Sequence, residues 1–351
     1  MDTLSYTKFL ARFTDKAYKD DCPIVGSFEL TPLCNFNCKM CYVHLQDNSV
    51  KNKILSGNQW INLMKEAVDR GMLNAMLTGG EAMMHPDFWD IYMYLINKGI
   101  SPRIKTNGFL LTKENIEKFI VFPPYLIDVS LYGCNSDSYL AVTGVDAYQK
   151  VVDNIHMAID SGLQLRIMIT PSIYMEPWTK DVMELAKSFG SKVVVNDILI
   201  EPSKDTGRSK KEFELGKREK QIIQMKKELF SSILISEEED IYSSIEKRSH
   251  VPEKGLYCNG GRTSFSINWD GTMSPCIGFP RDIVCANPIE DGFNLSWDKI
   301  NVEIKNFSIP QKCHYCSINT KCHYCPTQHS KMASKRLCDS DVCSYWHNYY
   351  Q

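Results

Sequence analysis

The sequence lacks the long apolar runs that would place it in a membrane or carry it out of the cell. No apolar stretch in its 351 residues approaches the length of a membrane-spanning helix. Charged side chains interrupt the first twenty residues, which therefore show no apolar segment typical of a secretory signal. The sequence predicts a cytoplasmic protein without a membrane partner.

Excess charge and internal repetition are also missing. The formal net charge is −2, which provides no electrostatic attraction to a nucleic acid, so we expect no nucleic-acid partner. No internal repeat or low-complexity tract stands out. The length suits one barrel-sized domain with a second, smaller domain.

Cysteine, by contrast, is abundant. The chain has 14 cysteines and no visible export signal, which favours reduced thiols that hold metals over disulfides. Cys34, Cys38 and Cys41 have the spacing CxxxCxxC and directly follow a predicted strand. Three thiolates so close together can hold three corners of one iron–sulfur cube and leave the fourth iron open. A zinc site, or a few buried thiols, is the alternative.

Six short aliphatic segments predict strands, and amphipathic helical segments lie between them. The predicted strands are Val25–Thr31, Leu73–Thr78, Ile100–Thr106, Leu126–Leu131, Leu163–Thr170 and Val193–Ile200, and the predicted helices include Trp60–Arg70, Pro86–Lys98, Asp146–Asp160 and Thr179–Phe189. Repeated strand–helix units predict parallel strands with right-handed crossovers. Six units are too few to close an eight-fold barrel, so we expect an α/β fold with an open, partial TIM-like (β/α)6 barrel.

Polar or glycine-rich signals follow each predicted strand at its carboxyl end, where such folds place their chemistry. The cysteine loop follows the first strand, and the later signals are Gly79-Gly80-Glu81, Thr106-Asn107-Gly108, Ser130, Thr170-Pro171-Ser172 and Glu201-Pro202. This agreement supports the barrel prediction and predicts a functional site at that end of the strands.

A second cysteine-rich region begins at Cys258. It contains Cys258 and Cys276 on either side of Gly271, then Cys313-x2-Cys316 and Cys322-x2-Cys325, and then Cys338 and Cys343. Two CxxC pairs this close together are a strong metal signal, with a pair of zinc knuckles as the alternative.

The patterns divide the chain into four predicted parts. These are an N-terminal extension (1–24), a partial barrel (25–205), a charged helical linker (206–250) and a cysteine-rich domain (251–351). In and around the linker, basic residues alternate with glutamates, which favours a solvated helix between two domains over a nucleic-acid-binding stripe.

Together these motifs resemble the radical S-adenosylmethionine (SAM) superfamily, in its branch with a C-terminal SPASM domain. The resemblance implies a [4Fe–4S] cluster on Cys34, Cys38 and Cys41. It also implies SAM binding by the residues Gly79, Gly80, Glu81, Thr106, Asn107 and Ser130. Two departures are Met40, where an aromatic residue is usual, and the absence of an arginine about a dozen residues after Ser130. Arg166 is a candidate for the missing ligand of the SAM carboxylate.

The C-terminal region resembles the SPASM pattern, except that its last pair is CX2C rather than CX3C. The resemblance implies one or two auxiliary [4Fe–4S] clusters, the first on Cys258, Cys276 and Cys325, and the second on Cys313, Cys316, Cys322 and Cys343. Cys338 is an alternative to Cys343 as the last ligand. For the first auxiliary cluster, Cys285 or Cys338 is a candidate fourth ligand, or one iron is open.

The family resemblance implies an oxidoreductase that uses a 5′-deoxyadenosyl radical. Its expected reaction is an oxidative C–H modification, a crosslink or a dehydrogenation, of a ribosomally synthesised peptide or protein. The alternatives are a small-molecule dehydrogenase, an enzyme similar to anaerobic sulfatase maturases, and a zinc-binding module without radical chemistry. Ile277, in place of an aspartate after Cys276, disfavours the maturase.

The resemblance also implies partners. One is a low-potential electron donor of the flavodoxin or ferredoxin type. Only 33 residues precede Cys34, fewer than the leader-binding domain of many peptide maturases needs. A leader peptide would therefore require a separate leader-binding protein or another surface.

Overall fold

The computed structural model describes residues 6–43, 54–196, 200, 219–232, 255–256, 258–322, 324–333 and 335–350. Its chain divides into two compact units. The barrel unit comprises Phe28–Ile61 and Asn74–Ser232, and the cysteine-rich unit comprises Met1–Ser27, Asn62–Leu73 and Ile233–Gln351. No helix within the described ranges combines the length and the apolar character needed to cross a membrane.

Parallel strands form the sheet of the barrel unit. They are β1 (Val25–Glu29, whose last two residues belong to this unit), β2 (Asn74–Thr78), β3 (Arg103–Thr106), β4 (Leu126–Leu131), β5 (Leu165–Ile169) and β6 (Lys192–Val195). They lie in the order β1-β2-β3-β4-β5-β6, and the pairs from β2 to β6 are parallel. The predicted α/β class with a parallel sheet is confirmed.

Helices alternate with these strands. Along the chain they are α1 (Tyr6–Lys19, in the cysteine-rich unit), α2 (Gly57–Asp69), α3 (Phe88–Asn97), α4 (Lys113–Val121), α5 (Ser136–Thr143), α6 (Tyr148–Asp160), α7 (Thr179–Ser188) and α8 (Glu219–Ser232). Local chemistry sets their ends. At α5, for example, the Asn135 side chain accepts from the Ser138 N–H at 2.8 Å, and the Ser138 hydroxyl accepts from the Asn135 N–H at 3.0 Å.

The predicted strands are correct in position, and most are slightly too long, whereas Leu126–Leu131 matches β4 to the residue. Strand β3 begins at Arg103 rather than Ile100, because the Ile100 N–H bonds to Leu95 at the end of α3 and Pro102 has no N–H to donate. Of the prediction Val193–Ile200, β6 includes residues up to Val195, and residues 197–199 lie outside the described residues, as do Glu201-Pro202.

The two faces of the sheet differ in chemistry. Ile104, Ile127 and Ile167 lie on one face and are fully buried. Side chains alternate along a strand, so Lys105, Asp128 and their neighbours lie on the opposite, inner face. The aliphatic face contributes to the hydrophobic core, and the inner face carries polar and charged side chains that can bind a ligand.

The cysteine-rich unit is built on a hairpin and short helices. After α1 come the antiparallel strands β7 (Ser264–Ile267) and β8 (Met273–Ser274), then α9 (Pro288–Asp291), α10 (Phe293–Lys305), α11 (Gln311–His314), α12 (Asn319–Cys322), α13 (Ser330–Ala333) and α14 (Ser340–Tyr350). Gly271, at φ +84°, makes the turn of the hairpin. The Phe265 ring packs edge-on against Phe293 and Trp297, with centroids 5.0 and 6.2 Å away.

The four predicted domain boundaries stay a prediction. Of the predicted linker 206–250, the structure describes Glu219–Ser232, which form α8, and the rest of it lies outside the described residues. The Gln221 side chain donates to the Thr179 hydroxyl at 2.6 Å, so this helix has a contact within the barrel unit.

Candidate cluster and cofactor site

The cysteines of the first motif, Cys34, Cys38 and Cys41, lie in the loop after β1 and share one neighbour. Burial raises the pKa of Tyr132, and the nearby thiols of Cys38, Cys34 and Cys41 raise it further, whereas a hydrogen bond with Ser130 lowers it. One phenol thus lies within electrostatic reach of all three thiols, which fits a shared site. The predicted site residue Ser130 bonds to the same phenol.

The Cys34 thiol is poorly suited to exist as a free thiolate. Burial raises its pKa to about 12 and the Glu81 carboxylate adds to this, although N–H donors from Phe36 and Asn107 oppose the shift. These donors lie 3.4 and 3.7 Å from the sulfur. A thiolate here therefore needs a positive charge beside it, which an iron ion supplies. The donor set of the loop fits a cluster.

Gly79 and Gly80 allow two backbone segments to approach closely. The Gly80 N–H donates to the Thr31 carbonyl at 2.7 Å, and the Glu81 N–H donates to the Leu33 carbonyl at 2.9 Å. A Cβ on Gly80 would lie 2.3 Å from the Leu33 oxygen, and one on Gly79 would lie 2.5 Å from the Thr31 oxygen. Only glycine fits, and the contact joins the Gly-Gly-Glu turn to the chain entering the cysteine loop. Their predicted contact with SAM stays a prediction.

Glu81 is buried, with a relative exposure of 1%. Its Oε2 accepts from the Thr106 hydroxyl at 2.9 Å and from the Asn107 N–H at 2.8 Å, and its Oε1 accepts from the Met83 N–H at 3.3 Å. Burial raises the pKa of Glu81 to about 7, while these three bonds lower it. The carboxylate thus caps a short 3₁₀ helix, Ala82–Met84. A carboxylate can accept about four hydrogen bonds, so these three donors do not saturate it, and the predicted contact of Glu81 with SAM stays a prediction.

Asn107 connects the cysteine loop to the end of β3. Its Nδ2 donates to Asn35 Oδ1 at 2.8 Å and approaches Cys34. Asn35 is a residue that the sequence motif did not single out. Its own Nδ2 is buried and has no hydrogen-bond partner among the described residues. An orphaned donor beside Cys34 fits a site that binds an additional acceptor group.

Arg166, the sequence candidate for the SAM carboxylate, points its guanidinium at Asp128. Its Nε donates to Asp128 Oδ1 at 2.8 Å. The residue is second in β5, on the inner face of the sheet. The structure therefore gives Arg166 a partner inside the barrel unit, and its role toward SAM stays a prediction.

Cys258, Cys276 and Cys325 form one group in the cysteine-rich unit. Burial raises the pKa of Cys258 to about 12, and the neighbouring Cys325 and Cys276 thiols add to the shift. The Thr327 hydroxyl lies 3.6 Å from the Cys276 sulfur. The fold thus brings together the three residues predicted for the first auxiliary cluster, and it places Thr327 beside them.

The second group contains five cysteines, one more than predicted. The cavity that they line includes Cys313, Cys316, Cys322, Cys338 and Cys343, together with Ile309, Tyr324 and His347. The Cys338 sulfur lies 3.3 Å from that of Cys313 and 3.1 Å from that of Cys343. Both candidates for the last ligand are therefore present at the same place. No described contact distinguishes Cys285 as a further ligand.

Two histidines next to this group were missed by the sequence motifs. His347 Nε2 lies 3.5 Å from the Cys316 sulfur, and His329 Nε2 lies 4.0 Å from the Cys338 sulfur. The Asp339 N–H donates to His329 Nδ1 at 2.9 Å, so a neutral ring carries its proton on Nε2, toward the sulfur. Two other histidines, His314 and His323, lie inside the CxxC pairs of the sequence, where a loop position is the expectation, and His323 is outside the described residues.

In the described ranges, no three His, Cys, Asp or Glu side chains surround a single point suited to one metal ion. A [4Fe–4S] cluster makes a different demand, because each cysteine thiolate binds a different iron. The three cysteine groups are consistent with that arrangement.

Comparisons with known proteins agree with this chemistry. Residues 28–186 match a family model described as the Radical SAM superfamily. "Antilisterial bacteriocin subtilosin biosynthesis protein AlbA" of Bacillus subtilis (strain 168) is 24% identical over 284 residues, which are 77% of this chain and 58% of AlbA. A "Probable GTP 3′,8-cyclase" of Saccharolobus islandicus (strain M.14.25 / Kamchatka #1) is 36% identical over 135 residues, 38% of this chain and 43% of that protein. The aligned part of the chain thus spans less than two thirds of either relative.

The fold is shared with a solved structure. Streptococcus suis SuiB bound to S-adenosylmethionine has a TM-score of 0.67 at 17% identity, and the match covers 95% of this chain and 78% of SuiB. At this identity the likeness concerns the fold alone, and it confirms the predicted partial barrel.

Proposed function

This chain contains a radical SAM domain, and from that premise we propose that it catalyses an oxidative C–H modification of a ribosomally synthesised peptide or protein. The family uses a [4Fe–4S] cluster and SAM. When bound, these groups supply one-electron chemistry that can remove a hydrogen atom from an unactivated C–H bond. The modification is a crosslink within the peptide or a dehydrogenation.

The barrel unit supplies the residues that would hold these groups. Cys34, Cys38 and Cys41 would hold the cluster, which would keep one iron without a protein ligand for SAM. Glu81 offers a fixed, buried acceptor to the amino group of SAM, because Thr106 and Asn107 hold its carboxylate in place. The orphaned Asn35 Nδ2 supplies a donor at the same site. Ser130 and the close backbone at Gly79-Gly80 complete the set.

The cysteine-rich unit would hold the auxiliary clusters. We assign Cys258, Cys276 and Cys325 to the first, and Cys313, Cys316, Cys322 and Cys343 to the second. Removing two hydrogens from a peptide releases two electrons, so the reaction needs a second electron acceptor besides SAM. Auxiliary clusters are suited to that role, since four-cysteine clusters carry electrons. A low-potential flavodoxin or ferredoxin is the proposed electron donor to the cluster on Cys34, Cys38 and Cys41.

The observation that carries the peptide assignment is the extent of the likeness to AlbA. It covers 77% of this chain, whereas the radical SAM match ends at residue 186. AlbA is named for bacteriocin biosynthesis, and SuiB has been solved bound to the precursor peptide SuiA. Both names point to peptide substrates, and a separate leader-binding protein is a further proposed partner.

One observation favours a second candidate, a radical enzyme that acts on a small molecule. The relative named as a probable GTP 3′,8-cyclase has the higher identity, 36%, although it aligns with only 38% of this chain. Its alignment covers 135 residues, so the likeness is confined to part of the chain.

Anaerobic reconstitution with iron and sulfide provides the test. We expect brown protein with about 8–12 irons per chain, for two or three clusters. With dithionite and SAM it should release 5′-deoxyadenosine, and a substrate peptide should lose two hydrogens in mass. Cys34→Ala should abolish SAM cleavage, whereas Cys134→Ala, outside the three cysteine groups, should retain it. If Cys34→Ala still cleaved SAM, the cluster assignment would be contradicted. If the protein were colourless and contained only zinc, the proposal of a radical SAM enzyme would be contradicted.

A further inference from the structure

The inner face of the barrel sheet carries a group of basic side chains. Lys105 on β3 is the register partner of Asp128 on β4, and Asp128 is the register partner of Arg166 on β5. Arg103 lies two residues before Lys105 and therefore on the same face. Three cations thus lie on neighbouring strands around a single carboxylate.

Both carboxylate oxygens of Asp128 accept from an arginine. Its Oδ2 accepts from Arg103 Nε at 2.6 Å, and its Oδ1 accepts from Arg166 Nε at 2.8 Å. The exposed fractions of the three side chains are 1% for Asp128, 13% for Arg103 and 12% for Arg166. One carboxylate shared by two guanidiniums leaves a positive charge in a place that water reaches poorly.

Lys105 adds a third cation without a hydrogen-bonded acid. No described hydrogen bond or ion pair involves its ammonium. Burial lowers the pKa of Lys105, Asp128 raises it, and Arg103 lowers it again, so the ammonium lies among these charges.

Glu29 supplies the other acid on this face. Phe28 packs edge-on against Trp60 of α2, at 6.2 Å between ring centroids, so Phe28 faces the helices and Glu29 faces inward. Among the described strand residues of this face, the cations Arg103, Lys105, Arg166 and Lys192 stand against the acids Asp128 and Glu29. The balance is two positive charges in excess, and because Lys192 is exposed to water, the excess charge away from water is the one at Lys105.

An uncompensated cation in a poorly hydrated place is costly, and an anionic ligand removes the cost. We propose that Lys105, with Arg103 and Arg166 beside it, binds a carboxylate of the substrate peptide, from an acidic side chain or the C-terminus. This inference rests on the proposed function and names the kind of peptide that the barrel accepts. It predicts an acidic group close to the modified residue.

The position of Lys105 explains that closeness. It lies two residues before Asn107, which contacts the cysteine loop, and two strand residues span about 7 Å. A carboxylate held on Lys105 would therefore place a neighbouring residue of the peptide near the end of the strands. The carboxylate of SAM offers the same chemistry, and measuring SAM binding beside peptide binding distinguishes the two sources.

The test uses the full-length, cluster-reconstituted protein and two probe peptides. These are N-acetyl-Ala-Glu-Ala-amide and its Gln counterpart, with binding followed by saturation-transfer NMR. Variants are Lys105→Met, which keeps most of the stem and removes the charge, and Lys105→Arg, which keeps a cation. Lys113→Met is the matched control, because Lys113 is an exposed helix lysine with a side-chain exposure of 81%. SAM binding is measured for each variant by calorimetry.

In wild-type protein we expect the Glu peptide to bind at least about fivefold better than the Gln peptide, as for one well-placed ion pair. Lys105→Met should lose this preference, Lys105→Arg should retain most of it, and all variants should bind SAM within about twofold of wild type. Removing an unpaired cation should also raise the Tm of Lys105→Met by about 2 °C. This rise distinguishes the variant from one that misfolds.

Equal binding of the two peptides to wild-type protein, or an undiminished preference in Lys105→Met, would overturn the inference. A tenfold loss of SAM affinity in Lys105→Met with the peptide preference intact would assign the site to SAM and overturn it too. Release of 5′-deoxyadenosine by wild-type protein tests the proposed function separately, because it needs no peptide.

Discussion

The backbone N–H of Asn107 donates to Oε2 of Glu81 at 2.8 Å, and this bond joins the turn after β2 to the end of β3. Both residues are buried, with exposures of 5% and 1%. Because this bond joins two strand ends, the buried carboxylate of Glu81 has a structural role beside its proposed role in SAM binding. The two roles can be separated by mutation.

Glu81→Gln keeps the size of the side chain and replaces one acceptor oxygen with a donor. Three donors surround the carboxylate, so the NH2 group of glutamine must face at least one of them. That NH2 group and the donor opposite it then both lack an acceptor. We expect the free energy of unfolding to fall by about 1–3 kcal/mol and SAM binding to weaken. Urea unfolding and calorimetry measure the two effects, with the exposed Glu117→Gln as a control. Wild-type values for both would refute the role of Glu81.

Gly80→Ala should disrupt the contact between the Gly-Gly-Glu turn and the cysteine loop. The added Cβ would lie 2.3 Å from the Leu33 carbonyl oxygen, and a backbone atom cannot move away easily. Gly99→Ala is the matched control, because no atom lies within 4 Å of its Cβ position and only the strain of its positive φ is felt. We expect Gly80→Ala to lose the cluster on Cys34, Cys38 and Cys41, which is measured as iron content. Gly99→Ala should retain this cluster. Equal iron in both would show that the close approach is dispensable.

Cys343→Ser and Cys338→Ser should separate a cluster ligand from its neighbour. We expect Cys343→Ser to lose the iron of one cluster, because serine is a poor replacement for a thiolate ligand. Cys338 has His329 beside its sulfur and lies between Cys313 and Cys343, so a serine hydroxyl there can keep similar hydrogen bonds. Iron and sulfide content measure the difference. The reverse result would make Cys338 the ligand.

His85 should make the barrel unit less stable as the pH falls. Its Nε2 lies 2.8 Å from the Leu55 carbonyl, and its Nδ1 accepts from the Asp87 N–H at 3.1 Å, so the folded ring is neutral. Burial lowers the pKa of His85 from its ordinary 6.5, although Leu55 and Asp87 oppose this shift. Below about pH 6.5, His85 binds a proton in the unfolded chain more readily than in the folded chain. The free energy of unfolding therefore decreases as the pH falls.

Thermal unfolding at pH 7.5 and 5.5 measures that dependence. His85→Gln retains a donor for Leu55 and cannot titrate in this range, so its Tm should fall less between the two pH values than that of wild-type protein. Identical falls in both proteins would mean that His85 takes up its proton equally in the folded state.

Asp21→Asn should destabilise the cysteine-rich unit. Burial would raise the pKa of Asp21, but Lys305, Asn301 and Arg262 together lower it, so the charge stabilises the folded state above the ordinary pKa near 3.8. Asparagine tolerates the backbone of Asp21, at φ +52°, so the variant removes the charge and one acceptor oxygen without adding backbone strain. We expect a loss of about 1–3 kcal/mol in urea unfolding.

Asp20→Asn is the neighbouring control, because within the described part of the chain the Asp20 side chain forms one ion pair, an exposed one with Lys16. It should change stability little. The stabilising effect of Asp21 should also disappear in wild-type protein as the pH falls through the lowered pKa. An Asp21→Asn variant as stable as Asp20→Asn would show that the ion pairs with Arg262 and Lys305 contribute nothing.

Local patterns predicted the strands well, because their signals lie in consecutive residues. Leu126–Leu131 was predicted to the residue, whereas Ile100–Thr106 was too long at its start. The excess came from Ile100, whose apolar side chain fits a strand but whose N–H bonds to the end of α3. Hydrophobicity alone cannot distinguish these two uses of an isoleucine.

Site residues could be predicted where they belong to a spaced motif or follow a strand, and they could not be predicted elsewhere. The CxxxCxxC and CxxC spacings marked the cysteines, and polar residues at strand ends marked Glu81 and Asn107. Asn35, His329 and His347 had no such signal, since their partners lie at distant sequence positions or belong to no motif. Of the Arg103–Asp128–Arg166 group, the sequence singled out Arg166 as a candidate ligand, but nothing in it indicated the shared carboxylate of Asp128.

By itself, the sequence determined the class of fold, the order of its elements and the supply of thiols, because periodicity and spacing are local properties of the chain. The tertiary structure alone decided that Cys338 lies with the second cysteine group, that glycines at 79 and 80 are required by the Thr31–Leu33 backbone, and that the barrel interior is basic. Those facts depend on which distant residues become neighbours. Packing and strand register, rather than spacing along the chain, make that choice.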